Sequence, residues 1–133
     1  MLERLEDYFQ SVATLHKLVF GPSMREMHTG LAIYARRASD VATEPLTRAQ
    51  DMLHIHTHCG SIHVNLHPRD ALRAIESGWA APFALAICGT EPGPEFQVGI
   101  SCVFVYAPRD DADLFIVKQL IDAGVKFALS QLP

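Results

Sequence analysis

Five of the seven histidines in this chain lie between His54 and His67, and this cluster is the feature of the sequence that points to chemistry. Imidazole nitrogens are the commonest protein ligands of metal ions. Three of them on one rigid surface suit Zn, Cu, Ni or non-haem Fe, and an open coordination position there would permit Lewis-acid or dioxygen chemistry. The spacing of the histidines decides whether they can converge on one ion.

The histidines alternate with apolar residues on both sides of Cys59-Gly60, which predicts a β-hairpin. A two-residue turn at Cys59-Gly60 places His56 opposite His63, with Cβ atoms about 4.5 to 5.5 Å apart. The same register pairs residue 58 with 61, 54 with 65, 55 with 64 and 53 with 66. The apolar residues then share one face, and the other face carries the candidate metal ligands, namely His54, His56, His58 and His63.

Two other interpretations of the histidine face stay open. An antiparallel hairpin often leaves its second face in solvent, where histidine has no special role. The same side chains could also line a pocket or an interface without metal and respond to protons. No carboxylate lies on this face within the hairpin, so a site that combines histidines with a carboxylate would need a residue such as Asp51 or Asp70.

Periodicity and turn residues predict the remaining elements. Apolar residues at helical spacing run from Leu2 to Val19 and stop at Gly21-Pro22, and a second such stripe runs over residues 110–131. Pro68 begins a helix that ends near Ser77, before Gly78. Strands are predicted at residues 30–37 and 101–107, a strand or buried irregular segment at 83–88, and a loop at 89–99.

These elements predict a single α+β domain over residues 1–133, with an antiparallel sheet, the histidine-rich hairpin and two or three helices packed on one face. The expected order is helix, strand, hairpin, helix, strand, helix. The core is expected to contain Leu53, Ile55, Ile62, Val64, Val103, Val105, Leu114, Val117 and Ile121.

Length, charge and composition narrow the class of protein. A chain of 133 residues, 49% hydrophobic and 20% charged, suits one globular domain with a sizeable core. The chain has 11 basic and 15 acidic residues and so lacks the strongly basic surface that binding to nucleic acids requires. No nucleic-acid partner is therefore expected. No apolar stretch is long enough to span a bilayer, and the N-terminal residues carry no secretory pattern. Three cysteines without a paired motif favour reduced thiols and a cytoplasmic location.

Three segments fall in order along the chain, and they read His56-Thr-His-Cys-Gly-Ser-Ile-His63-Val, Asp70-Ala-Leu-Arg-Ala-Ile-Glu-Ser-Gly-Trp79 and Val105-Tyr-Ala-Pro-Arg109-Asp. Together they resemble the luciferase-domain family, small single-domain proteins of bacteria and fungi. The resemblance covers roughly residues 53–129 and implies an α+β fold. Most members are uncharacterised, so the family name does not by itself imply light emission. The patterned positions of the family fall on His56 or His58, His63, Trp79 and Arg109.

Trp79 and Arg109 are the candidate ligand-binding residues. Arg109 precedes a predicted helix, where free backbone N–H groups favour a carboxylate or phosphate; the alternative is a solvated arginine at a helix start. The chain departs from the family after Gly78-Trp79, where relatives usually carry a polar Gly-Glu-Arg-His-like run and this chain reads Ala80-Ala-Pro-Phe83. This departure favours binding or a structural role over catalysis.

The leading functional hypothesis is a small cytoplasmic protein that binds a transition metal (Zn, Cu, Ni or Fe) or a small ligand on its histidine face. One alternative is a metal-dependent enzyme, for oxidation or hydrolysis, that uses the same side chains. The other is an interaction domain whose histidine face contacts a second copy of the chain or another protein.

Overall fold

The computed structural model describes residues 1–40, 45–83 and 102–132. Its helices are α1 (Leu2–Leu15), α2 (Pro68–Glu76) and α3 (Asp111–Ser130), and a short 3-10 turn spans Arg48–Gln50. Its strands are β1 (Leu18–Pro22), β2 (Leu31–Arg37), β3 (Asp51–Ile55), β4 (Ile62–Asn65), β5 (Ala80–Pro82) and β6 (Cys102–Val105). These six strands form one antiparallel sheet in the order β1-β2-β3-β4-β6-β5.

One face of the sheet carries the hydrophobic core, and α1, α2 and α3 all contribute residues to it. Strand geometry explains this division, because every second side chain of a strand points to the same face. The predicted α+β class, with helices packed on one face of an antiparallel sheet, is confirmed. The predicted core residues are each at most 2% exposed: Leu53, Ile55, Ile62, Val64, Val103, Val105, Leu114, Val117 and Ile121.

Helix α3 crosses the centre of the sheet at Gly124. A Cβ atom on this residue would lie 2.4 Å from Cγ1 of Val64 and 2.8 Å from Cδ2 of Leu53. Both of these side chains are fully buried in a packed core, so neither has free space to move into. The missing side chain of Gly124 therefore allows α3 to lie close to β3 and β4, the strands that carry the histidines.

The predicted N-terminal helix is too long. Helix α1 ends at Leu15 because Lys17 adopts a left-handed conformation (φ 56°), through which a right-handed helix cannot continue. Val19 then belongs to β1, an edge strand. It was not predicted because Val19 continues the helical spacing of the apolar residues before it. The other strand that was not predicted, β5, lies at the opposite edge and spans only Ala80–Pro82.

The hairpin of β3 and β4 forms, but its predicted register was wrong. His54, not His56, lies opposite His63. The chain reverses through residues 57–60, and Gly60 (φ 79°) supplies the left-handed residue that closes this longer loop. Because the register differs by two residues, which is the side-chain period of a strand, the apolar face and the histidine face are both preserved.

Helices α2 and α3 begin and end close to the turn and capping residues that the sequence indicates. Pro68 is the first residue of α2, and Gly78 (φ 83°) follows its C-terminus. Asp110 caps α3 by accepting a hydrogen bond from the backbone N–H of Asp113 (2.9 Å). The strand or irregular segment expected at 83–88 lies outside the described residues except for Phe83, and the loop expected at 89–99 lies wholly outside them. Among the helices that the structure describes, none combines the length and the apolar character needed to cross a membrane.

Replacing Gly124 with alanine is expected to destabilise the fold, although alanine favours a helix by about 1 kcal/mol over glycine. The added methyl group would press on Val64 and Leu53, and overpacking of this kind costs about 1 to 3 kcal/mol. Urea unfolding followed by circular dichroism measures the change in the free energy of unfolding. Gly21→Ala is the matched control, because a Cβ atom there meets nothing within 4 Å. A Gly124→Ala protein as stable as this control would contradict the close packing of α3.

Candidate metal centre

The face of the sheet opposite the helices carries the histidines. Antiparallel pairing sets His54 beside His63, and the same row continues to Phe104 in β6 and Ala81 in β5. The Nε2 atom of His54 lies 3.0 Å from Nδ1 of His63, and the two ring centroids are 5.0 Å apart. The pairing of β3 with β4 thus places two imidazole nitrogens within reach of one ion.

His56 joins this pair from just beyond the end of β3. Its backbone N–H donates to the carbonyl of Ser61 (2.9 Å), and its ring Nδ1 lies 2.7 Å from the Ser61 hydroxyl. The ring centroid of His56 is 4.6 Å from that of His63. Because Ser61 engages Nδ1, the nitrogen of His56 that remains for a ligand is Nε2.

The fourth member of the cluster is Glu26, from the loop between β1 and β2. Its Oε1 atom lies 3.2 Å from Nε2 of His54 and 3.0 Å from Nε2 of His56. The sequence pattern does not indicate Glu26, because a loop carboxylate 28 residues before His54 shares no periodicity with the hairpin. The loop reaches the histidines because β2 pairs with β3, a long-range contact that no local pattern in the sequence indicates.

Gly30 allows this loop to approach β3. A Cβ atom on Gly30 would lie 2.2 Å from the carbonyl oxygen of Ile55, a backbone atom that cannot turn away. Hydrogen bonds from the Ser23 N–H to the Gly30 carbonyl (2.7 Å) and from the His28 N–H to the Ser23 carbonyl (2.7 Å) close the loop on itself. The loop backbone is therefore held against β3, which carries His54 and leads directly into His56.

Each of Glu26, His54, His56 and His63 offers one ligand atom, and these four atoms all lie within 4.8 Å of one another. His54 is 3% exposed and His56 is 9% exposed, whereas the Glu26 side chain is 33% exposed. The interpretation of the histidine face as an ordinary solvent-exposed face is therefore wrong for His54 and His56. Glu26 marks the side on which solvent reaches the cluster.

Carboxylates face both ring nitrogens of His54. Its Nδ1 atom lies 3.2 Å from Oδ1 of Asp51, and its Nε2 atom lies 3.2 Å from Oε1 of Glu26. Asp51 is almost completely buried. A carboxylate at Nδ1 holds a hydrogen on that nitrogen and leaves Nε2 for a ligand, which is the usual arrangement behind a metal-binding histidine. Of the two carboxylates that the sequence suggested, Asp51 is the one that contacts the cluster.

The electrostatic surroundings keep two of the imidazoles neutral. Burial is the main cause that lowers the pKa of His63 to about 3. Repulsion from His54 and His56, in their protonated forms, lowers this pKa further. Burial also lowers the pKa of His56, although the Glu26 carboxylate opposes this shift. His56 and His63 are therefore uncharged at neutral pH, which is the form that binds a metal ion.

Aromatic rings border the cluster. The ring centroid of Phe83 is 4.3 Å from that of His63. The ring of Phe104 lies 5.6 Å from His63 and 5.9 Å from His56, and it is stacked on the latter. These apolar neighbours displace water from the imidazoles, and charge interactions are stronger in such surroundings.

His58 and Asp70 are not part of the cluster. His58 is exposed in the hairpin loop, and its ring centroid lies 5.9 Å from that of His56. Asp70 lies on α2 and lines a groove of about 310 Å³ between α2 and α3. Of the four histidines predicted as metal ligands, the structure thus brings together His54, His56 and His63.

Trp79 and Arg109, the candidate ligand-binding residues, also lie outside the cluster. Trp79 is half-buried and lines the same groove between α2 and α3. The Arg109 side chain is 83% exposed, and its Nε donates to Oδ2 of Asp113 (2.7 Å). Hydrogen bonds from Arg109 lower the pKa of the Asp113 carboxyl. In this structure Arg109 therefore interacts with its own helix start.

Comparison with known proteins places the chain in a family. The Luciferase domain family matches residues 50–124, which is more than half of the chain. The chain belongs to the luciferase-domain family. Similar curated proteins are those named Luciferase from Armillaria gallica, Armillaria mellea and Armillaria ostoyae, each 29% identical over 79 residues. This alignment covers 59% of the chain and 28% of each relative. No solved structure matches the chain.

The luciferase-domain match begins just before β3 and ends within α3. It confirms the resemblance seen in the sequence. His54, His56, His63 and Asp51 lie inside the matched residues, whereas Glu26 precedes them. The luciferase-domain segment therefore supplies the three imidazoles, and the carboxylate comes from the preceding loop between β1 and β2.

Acid is expected to destabilise the metal-free protein partly through His63. Its pKa is about 3 in the fold against 6.5 for an ordinary histidine, so the unfolded chain binds the extra proton between these values. Stability should therefore fall as the pH falls from about 6.5 to about 3. His63→Asn removes this contribution and should flatten that part of the profile of unfolding free energy against pH.

The control for this profile is His28→Asn, which removes an exposed imidazole outside the cluster. Both proteins are treated with a chelator and unfolded with urea at each pH. Equal acid sensitivity in the two variants would contradict a neutral, buried His63.

Proposed function

We propose that this protein binds a transition metal ion through Glu26, His54, His56 and His63. The observation that carries the proposal is the convergence of four ligand atoms within 4.8 Å of one another. Ligands of a tetrahedral zinc ion lie about 2.0 to 2.1 Å from it and hence roughly 3.3 Å from one another. The contacts of 3.0 and 3.2 Å among these nitrogens and the Glu26 oxygen are close to that spacing.

Three imidazoles and one carboxylate form a donor set of intermediate softness. Such a set suits Zn, Cu, Ni and Fe, whereas sites made only of oxygen suit Mg and Ca. A tetrahedral ion would be saturated by these four ligands. An ion that prefers six ligands would keep positions for water or for a second molecule.

The orientation and the charge of the imidazoles support the proposal. Contacts with Asp51 and Ser61 engage Nδ1 of His54 and of His56, which leaves Nε2 of each ring for an ion. His56 and His63 are held neutral and need not lose a proton first. Because contacts within the protein already hold these side chains together, little conformational freedom would be lost on binding.

The protein, freed of metal with a chelator, is expected to bind one Zn²⁺ or Co²⁺ ion per chain with a Kd below about 10 μM. Calorimetry measures the affinity, and the rise in Tm at saturating metal reports binding independently, since a ligand of the native state stabilises it. Replacing His56 and His63 together with alanine should abolish binding while the far-ultraviolet circular dichroism spectrum is retained.

His58→Ala is the matched control, because it removes a histidine of the same hairpin that lies outside the cluster. Wild-type affinity in this variant supports the four-ligand site, whereas a large loss would make His58 a ligand. Binding weaker than about 10 μM by the wild-type protein, with no thermal shift, would overturn the metal proposal. If the double variant instead lost a dimer in size-exclusion chromatography, a histidine face that contacts a second copy would be favoured.

A metal-dependent enzyme is the second candidate function. The name Luciferase of the curated relatives supports it, as does the partial exposure of Glu26, which gives a second molecule a route to the ion. Azide, used as a probe of an exchangeable coordination position, is expected to change the visible absorption of the Co²⁺-loaded protein. An unchanged spectrum would mean that protein ligands saturate the ion, and it would favour metal binding without catalysis.

A cytoplasmic location is part of the proposal. Cys59 is a free thiol, which suits a reducing compartment. Cys59 is exposed in the hairpin loop, where oxidising surroundings would favour its pairing with other thiols.

A further inference from the structure

Asp51 begins β3, and its carboxylate is buried; the residue is 1% exposed. Its Oδ1 atom accepts from Nδ1 of His54 (3.2 Å). Its Oδ2 atom accepts from the Ser23 hydroxyl (2.6 Å) and from the backbone N–H of Arg25 (3.4 Å). One carboxylate thus contacts both a histidine of the cluster and the loop that carries Glu26.

A path of two hydrogen bonds links Asp51 to Glu26. The Ser23 hydroxyl donates to Asp51 and accepts from the backbone N–H of Glu26 (3.2 Å). The backbone carbonyl of Asp51 also accepts from Nε of Arg25 (3.3 Å). Since these contacts hold the residues on the N-terminal side of Glu26, the position of the Glu26 backbone depends on Asp51.

We infer that Asp51 is a positioning residue that couples the two halves of the metal centre, the His54 imidazole and the Glu26 carboxylate. This inference rests on the proposed function, because it assigns Asp51 a role in arranging the ligands of that same site. Asp51 holds a hydrogen on Nδ1 of His54 and so leaves Nε2 for the ion. Through Ser23, Asp51 also holds the loop in the position in which Oε1 of Glu26 lies 3.2 Å from Nε2 of His54.

A buried carboxylate that accepts several hydrogen bonds could serve the fold alone. Asp113 provides the internal comparison, because it is 6% exposed and its Oδ2 accepts from the backbone N–H (3.1 Å) and Nε (2.7 Å) of Arg109. It lies at the start of α3, outside the cluster. Replacing it measures what the loss of a buried carboxylate does to metal binding when that carboxylate has no part in the centre.

The experiment compares the affinities of Asp51→Asn, Asp51→Ala and Asp113→Asn proteins for Zn²⁺ and Co²⁺. Loss of a carboxylate behind a metal-binding histidine weakens metal affinity about 10- to 100-fold. Asparagine keeps an oxygen that can accept from His54, so the Asp51→Asn protein should bind more tightly than the Asp51→Ala protein. The Asp113→Asn protein is expected to bind as the wild type does.

The coupling itself is measured by combining Asp51→Asn with Glu26→Gln. If Asp51 acts through Glu26, the loss of affinity in the double variant is smaller than the product of the two single losses. The Asp51→Asn change should also alter the visible absorption of the bound Co²⁺, because the Glu26 ligand is displaced. Losses that multiply as independent factors, with an unaltered spectrum, would overturn the coupling.

Nitrogen-15 NMR of the wild-type protein keeps the inference testable even if the Asp51 variants do not fold. With Zn²⁺ bound, Nδ1 of His54 is expected to carry a hydrogen, and a hydrogen-free Nδ1 would contradict the role of Asp51. A wild-type protein that binds no metal would defeat the proposed function. A wild-type protein that binds metal, together with an Asp51→Asn protein that binds it equally well, would defeat only this inference.

Discussion

The register of β3 against β4 is the constraint on which the rest of the structure depends. Hydrogen bonding sets Leu53 opposite Val64 and His54 opposite His63. Because neighbouring side chains of a strand point to opposite faces, the same ladder presents an apolar row to the helices and a histidine row to the other side. A shift by one residue would turn imidazoles towards Gly124, where even a methyl group lacks space. The core and the candidate metal centre therefore depend on the same pairing.

Burial on both faces of β3 makes the polar contacts of the histidine face obligatory. Every residue of this strand is buried, including the polar Asp51 and His54. Polar groups removed from water must find partners within the protein. Over the described residues, each buried side-chain nitrogen and oxygen has one. Ser23, Ser61 and the two carboxylates take the place of water, and the same contacts that satisfy the imidazoles also fix their orientation.

Alternation along the hairpin was enough to predict its two faces, the core residues that lie on it and three members of the cluster, because a period of two is a local property. The turn was not predictable in the same way, since Cys59-Gly60 also fits a two-residue turn. Glu26 reaches the histidines only through the pairing of β2 with β3, a long-range contact that leaves no local pattern. The edge strands β1 and β5 span five and three residues, too few to show a period.

Glu26 and His63 are distant along the chain but adjacent in the fold. An ion that both residues ligate would tie the loop between β1 and β2 to the central strands, much as a disulfide ties two segments, but reversibly. Because the ligands come together only in the folded chain, the ion would bind the native state and raise the free energy of unfolding. The centre would act as a removable cross-link, and the supply of metal around the protein would then set its resistance to proteolysis.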